Sequence, residues 1–134
     1  MNKPVRFGVI SASPMAESHM TAIRDNADAV LTAVCDIDLE KAQRAAAKFQ
    51  LPPERVFADY HELLALQDVD AVVICTPDQL HRQMTVDALQ AGKHVLCEKP
   101  LAPTPKQTAE LFEAAKEKGV FLMEAYAYLH SPFV

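Results

Sequence analysis

Short apolar runs alternate along this chain with segments of helical spacing, and no other feature limits the fold as strongly. Residues 5–11, 30–35, 55–57, 71–75, 94–97 and 120–128 are dominated by Val, Ile, Leu, Ala and aromatic side chains. Continuous apolar runs of this kind are predicted strands buried on both faces. Predicted helices lie between them, over residues 14–26, 38–49, 60–66, 78–91 and 105–118. Ser13, Asp38, Asp59, Asp78 and Thr104 are placed to cap these helices, and Pro14 and Pro105 suit a first helical position. Gly92 and Gly119 are fitting helix stops. Strands alternating with helices through short connections require parallel crossovers, hence an α/β doubly wound sheet.

Bulk properties narrow the classes. A chain of 134 residues, half of them hydrophobic, is enough for one packed domain and too short for two. The net charge of −5 and the lack of a dense Lys/Arg cluster exclude a nucleic-acid surface. No apolar run reaches the length of a membrane span and no signal peptide opens the chain, so a cytoplasmic setting is expected. Cys35, Cys75 and Cys97 are odd in number and lack metal spacing, which fits small buried thiols in a reducing compartment. His19, His61, His94 and His130 show no metal spacing either, and no metal site is expected.

In sheets of this class, ligands bind beyond the carboxyl ends of the strands. The first such turn reads Ser11-Ala12-Ser13-Pro14-Met15-Ala16. It stands where a dinucleotide fingerprint would read G-x-G-x-x-G/A, with serine at the first two glycine sites. A serine hydroxyl there can donate to a phosphate, and the helix N-terminus would face an anion. A plain capping turn without a ligand fits the same residues. Asp36 ends the second strand about 20 residues after Ala16, where an acid accepts bonds from adenosine ribose hydroxyls. Asp38 fills the helix-start role that would otherwise explain it. A carboxylate at Asp36 with Ile37 beside it favours NAD over NADP, although Lys41 and Arg44 lie one turn on. After the fourth strand come Thr76, Pro77 and, one turn into the helix, His81, expected to face the ligand cleft or solvent. Glu98-Lys99-Pro100 follows the fifth strand, a surface ion pair on one reading and a proton-carrying lysine on the other. Beside a positively charged nicotinamide, a lysine has a lowered pKa and can move an alcohol proton. The rigid exit also fits a cis Lys99–Pro100 peptide.

Together these residues resemble the N-terminal domain of the Gfo/Idh/MocA oxidoreductase family. The resemblance covers essentially the whole chain. It rests on Arg6-Phe7-Gly8-Val9-Ile10, Ala33-Val34-Cys35-Asp36, the run from Val69 to Pro77 with His81, the run from Ala91 to Leu101, and Glu124-Ala125-Tyr126. Glu98-Lys99-Pro100 is its most specific stretch. The resemblance implies a six-stranded Rossmann sheet of order 3-2-1-4-5-6 and NAD(P)-dependent oxidoreduction of a sugar or polyol hydroxyl. It implies that Ser11, Ser13, Pro14, Met15, Asp36, Thr76, Pro77, His81, Glu98 and Lys99 surround the nicotinamide dinucleotide. Lys99 would meet both the substrate hydroxyl and the nicotinamide ribose and act catalytically.

Two departures stand out. The first two fingerprint glycines are serines. The family also has a second domain that carries the substrate pocket, a catalytic histidine and most subunit contacts of a homo-oligomer. Residues 1–128 are expected to form the dinucleotide-binding domain, and 129–134 the start of a connection to a second domain absent from the chain. His130 falls too early to serve as that histidine. The chain alone is therefore expected to bind cofactor without turnover. The alternatives are a non-catalytic nucleotide-binding or assembly module, or a folded remnant that binds nothing.

Overall fold

The computed structural model describes residues 3–125. Six strands, β1 (Val5–Ile10), β2 (Ala29–Cys35), β3 (Val56–Phe57), β4 (Ala71–Ile74), β5 (His94–Glu98) and β6 (Leu122–Ala125), form one sheet of order β3-β2-β1-β4-β5-β6. Every neighbouring pair is parallel. This is the Rossmann arrangement anticipated above. The register aligns the carboxyl ends: Ile10 pairs with Cys35 and Ile74, and Ile74 pairs with Cys97.

Side-chain alternation along each strand divides the core in two. Val9, Val34 and Val73 point to one face, where they meet Ala16, Met20, Ala42 and Ala45 of α1 (Pro14–Arg24) and α2 (Leu39–Lys48). Ile10, Val72, Ile74, Val95 and Cys97 point to the other. There they pack on Leu63 of α3 (Tyr60–Leu64), Leu89 of α4 (His81–Gln90) and Leu111 of α5 (Pro105–Lys118). Both faces are covered, so the strands can be apolar throughout. The order in which strands are added to the sheet reverses between β1 and β4, which opens a crevice at their carboxyl ends.

Most caps form as expected. Ser13, Asp38, Asp59 and Thr104 accept bonds from the amides of Ala16, Lys41, His61 and Gln107. Gly92 and Gly119 adopt φ of 78° and 69° just past α4 and α5. Asp78 is the exception. It lies in a 3-10 turn, Asp78–Leu80, that precedes α4, and makes no side-chain cap bond. Pro77 fixes the strand exit and the tighter turn absorbs the change of direction. The expected strand over 120–128 is seen as Leu122–Ala125; its last residues, the boundary at 128, the 129–134 connection and His130 lie outside the described residues.

Candidate functional site

A cavity of about 610 Å³ opens at the carboxyl ends of β1, β2 and β4. Its size lies in the range of small-molecule sites. Ser11 and Ser13 line it from the first turn, Asp36, Ile37, Asp38 and Lys41 from the β2–α2 turn, and Thr76 and Pro77 from the β4 exit. Of these, Ser11, Ser13, Asp36, Thr76 and Pro77 are the ones expected from the sequence to share one ligand, and the fold brings them to one wall.

The first turn is built on an unusual backbone. Ser11 has φ of 123°, in the range that glycine enters freely and other residues rarely adopt. Serine there carries strain of roughly 1–3 kcal/mol. The position has thus kept a glycine-like conformation without the glycine. The turn is also closely bonded. Ser11 N–H donates to the Cys35 carbonyl at 2.7 Å, Ala12 N–H to Asp36 Oδ2 at 2.8 Å, and Ser13 N–H to Ser11 Oγ at 3.1 Å. Asp36 also accepts the Asp38 amide through Oδ1 at 2.9 Å. Its carboxylate therefore ties β1 to the start of α2, with lone pairs remaining for a hydroxyl donor.

Cys35 and Cys75 line the cavity as well. Burial, with the nearby carboxylates, pushes both thiols up to about 12, so they are neutral walls rather than nucleophiles. Tyr60, Leu80 and Met84 complete the apolar part. None of the three was singled out from the sequence. Tyr60 O–H donates to Asp87 Oδ2 at 2.5 Å, and burial raises its pKa. Thr76 Oγ1 donates to Met84 Sδ at 3.2 Å, a bond between two residues of the cavity wall.

His81 faces neither cleft nor solvent, contrary to the sequence expectation. It is 1 % exposed, and its ring nitrogens lie 2.8 Å from the Pro100 carbonyl and 2.7 Å from the Thr76 carbonyl. The ring bridges the exits of β4 and β5. Helical spacing placed it one turn into a helix expected over 78–91, whereas it is the first residue of α4, and spacing could not show that a second loop covers it.

The Glu98-Lys99-Pro100 segment is held from three sides. Glu98 Oε1 meets His19 Nε2 of α1 at 2.7 Å, His81 bonds the Pro100 carbonyl, and Glu124 of β6 accepts the Leu101 amide at 2.7 Å. The Lys99–Pro100 peptide is cis. Lys99 itself is exposed at the end of β5. Pro14, Met15, His81, Glu98 and Lys99 do not line the cavity that the serines and Asp36 share. The donor atoms of His19, Cys75 and Glu98 lie within 4.8 Å of one another, a set that zinc accepts. Within that set His19 and Glu98 are hydrogen-bonded to each other at 2.7 Å. No helix among the described residues is long and apolar enough to cross a membrane.

Comparison with known proteins places this geometry in context. The profile of the Gfo/Idh/MocA oxidoreductase family, with its NAD-binding Rossmann fold, matches residues 5–126. A dTDP-3,4-didehydro-2,6-dideoxy-alpha-D-glucose 3-reductase of Saccharopolyspora spinosa is 41% identical over 97% of this chain and 39% of its own length. A scyllo-inositol 2-dehydrogenase (NADP(+)) of Bacillus subtilis is 40% identical over 90% of the chain and 36% of its own. Among solved structures, a 3-ketoreductase from Actinomadura kijaniata in complex with NADP superposes with a TM-score of 0.91 at 36% identity, covering 98% of this chain and 41% of that one. A dehydrogenase from Bordetella pertussis in complex with NADH and UDP-GlcNAcA gives 0.87 at 30% identity, covering 97% and 39%. The chain spans about two fifths of the length of these relatives.

Proposed function

The chain belongs to the Gfo/Idh/MocA oxidoreductase family, with an NAD-binding Rossmann fold, and we propose on that premise that it is the cofactor-holding part of a sugar or polyol dehydrogenase or reductase. The observation that carries this reading is the convergence of Ser11, Ser13, Asp36 and Thr76 on one cavity at the switch point between β1 and β4. The residues fit a dinucleotide. Asp36 stands at the tip of β2 with acceptor capacity left over, the α1 N-terminus lies beside Ser13, and Tyr60, Leu80 and Met84 give the wall an apolar part.

A bound nicotinamide supplies a carbon that takes or gives hydride. The residues of the chain do the rest. Asp36 accepts the ribose hydroxyls and fixes the adenosine end. Thr76 and Pro77, held rigid by His81, bound the nicotinamide end. Lys99 in its amine form takes the substrate hydroxyl proton during oxidation and returns it during reduction. His81 acts through the Thr76 and Pro100 carbonyls it holds and Glu98 through its bond to the His19 ring, since neither lines the cavity.

The preferred cofactor in this reading is NAD. Asp36 and Asp38 set two carboxylates at the ribose end against one cation, Lys41, and repel a 2′-phosphate. Relatives named with NADP lend that preference no support; it rests on the local charges alone. Within this proposal, residues 1–128 are the cofactor-binding domain, and the 134-residue chain by itself binds without turnover. Titration of NADH and NADPH against the chain, followed by nicotinamide fluorescence, tests the assignment. Saturable NADH binding tighter than NADPH is expected; binding of neither would overturn the dinucleotide reading, and tighter NADPH would overturn the preference.

A further inference from the structure

Three side chains with metal-binding atoms meet where α1 approaches the ends of β4 and β5. His19 comes from α1, Cys75 directly follows β4, and Glu98 ends β5. Each offers one atom, an imidazole nitrogen, a thiol sulfur or a carboxylate oxygen, that lies within 4.8 Å of the other two. His19 and Glu98 are hydrogen-bonded to each other, but among the described residues no hydrogen bond joins Cys75 Sγ to either. The ion pair alone therefore leaves the third member of the cluster unexplained.

The backbone under all three is fixed. Ala16, Met20 and Ile23 bury α1 in the core on either side of His19. The Cys75 amide donates to the Ile10 carbonyl at 3.1 Å, and Glu98 is in register with Ala125 of β6. Donor atoms carried on helices and strands keep a ligand geometry better than donors on loops. The donor set of nitrogen, sulfur and oxygen suits zinc, whereas magnesium and calcium take oxygen throughout. Zinc bonds at tetrahedral angles put neighbouring donors roughly 3.3–3.6 Å apart. His19 Nε2 and Glu98 Oε1, now 2.7 Å apart, must part by roughly 0.6 Å, and Cys75 must close by about 1.3 Å at most. A thiolate and a carboxylate together neutralise the dication. In the metal-free chain, burial and then the Glu98 charge keep the Cys75 thiol protonated. Zinc reverses that balance, and the thiol proton leaves to solvent. The His19 and Glu98 side chains remain 22% and 19% exposed, so water can reach a fourth position.

We propose that His19, Cys75 and Glu98 form a zinc site, with water as the fourth ligand, that ties α1 to the ends of β4 and β5. Three protein ligands and one water make an open zinc site. Spacing along the chain does not reveal it, because each ligand comes from a different element. The site stands apart from the dinucleotide reading, and neither depends on the other.

The experiment strips the 134-residue chain of metal with a chelator. Zinc is then added and followed by calorimetry and melting temperature, and cobalt(II) is added and followed by absorption. One zinc per chain is expected, with a rise in Tm. Cobalt is expected to give the near-ultraviolet band of a thiolate–cobalt bond and the strong visible bands of a tetrahedral site. X-ray absorption of the zinc-loaded chain, which needs no variant, is expected to show one sulfur at about 2.3 Å and nitrogen or oxygen at about 2.0–2.2 Å. Cys75→Ser is expected to abolish the near-ultraviolet band and weaken zinc by more than the roughly 100-fold that loss of an outer partner costs. His19→Gln, which can still donate a hydrogen bond to Glu98, is expected to weaken zinc at least roughly 10-fold. A cobalt spectrum without the thiolate band, a zinc shell without sulfur, or zinc affinity untouched by Cys75→Ser would overturn the site. NADH titration of the metal-free chain decides the dinucleotide reading separately.

Discussion

At the scale of single residues, close approaches explain choices that the sequence left open. Gly8 sits in β1 at a register shift with β2. A Cβ there would lie 2.6 Å from Leu63 Cδ2, and Leu63 is fully buried. Glycine is needed for this contact and not for its φ. Gly8→Ala is expected to destabilise the fold by about 1–3 kcal/mol, the usual penalty for overpacking. Leu63→Val in the same chain should recover part of that loss, as urea unfolding would show. Asp36 combines two duties that spacing alone could not separate. It holds the Ala12 and Asp38 amides and retains acceptor capacity for a ribose. Asp36→Ala is expected to weaken NADH binding by about 1–2 kcal/mol in a fluorescence titration, the scale of a lost charge-assisted bond.

At the scale of elements, the ends of strands are pinned by partners distant in sequence. The β5 exit depends on His19 from α1, His81 from α4 and Glu124 from β6. Leu101 is fully buried, so its amide has no recourse to water once Glu124 is removed. Glu124→Ala is expected to cost about 1–3 kcal/mol, the penalty of an orphaned buried donor. Hydrogen exchange at the Leu101 amide should quicken in step. At the opposite, amino-terminal ends of the strands, Arg6 of β1 grips Asp70 ahead of β4 through paired 2.9 Å bonds. The Arg6 side-chain hydrogen bonds hold the Asp70 carboxyl down at about 2, from an ordinary 3.8. A carboxyl whose pKa is lower when folded stabilises the protein above its unfolded pKa. That stability fades as pH falls from about 4 through about 2. Melting temperature measured over this range should fall less steeply for Asp70→Asn than for the unaltered chain. Both side chains are more than a third exposed, which keeps the difference small.

At the scale of the whole molecule, the cavity gathers Ser11, Ser13, Asp36, Thr76 and Pro77 at the carboxyl ends of β1, β2 and β4. Lys99 lies outside the shared wall, exposed at the end of β5. The 134-residue chain is accordingly expected to bind NADH yet form none from NAD with inositol or glucose, followed at 340 nm. Steady NADH formation would show that these residues build a substrate site unaided. The element order, the parallel sheet and most helix caps were legible in the sequence, because apolar periodicity and capping residues act over a few neighbours. That Ser11, Ser13, Asp36, Thr76 and Pro77 gather at one cavity was legible because strand ends are local features, and in this sheet class strand ends converge on one crevice. Tertiary structure alone decided the rest. His81 became a buried bridge only because the β5 exit folds over α4, and Asp78 lost its cap to a 3-10 turn. Tyr60 and Met84 joined the wall from separate elements, and the loop amides were satisfied by Cys35 and Asp36 across strand boundaries. Such contacts join residues tens of positions apart, and nothing in local spacing records which distant side chain will claim a given donor.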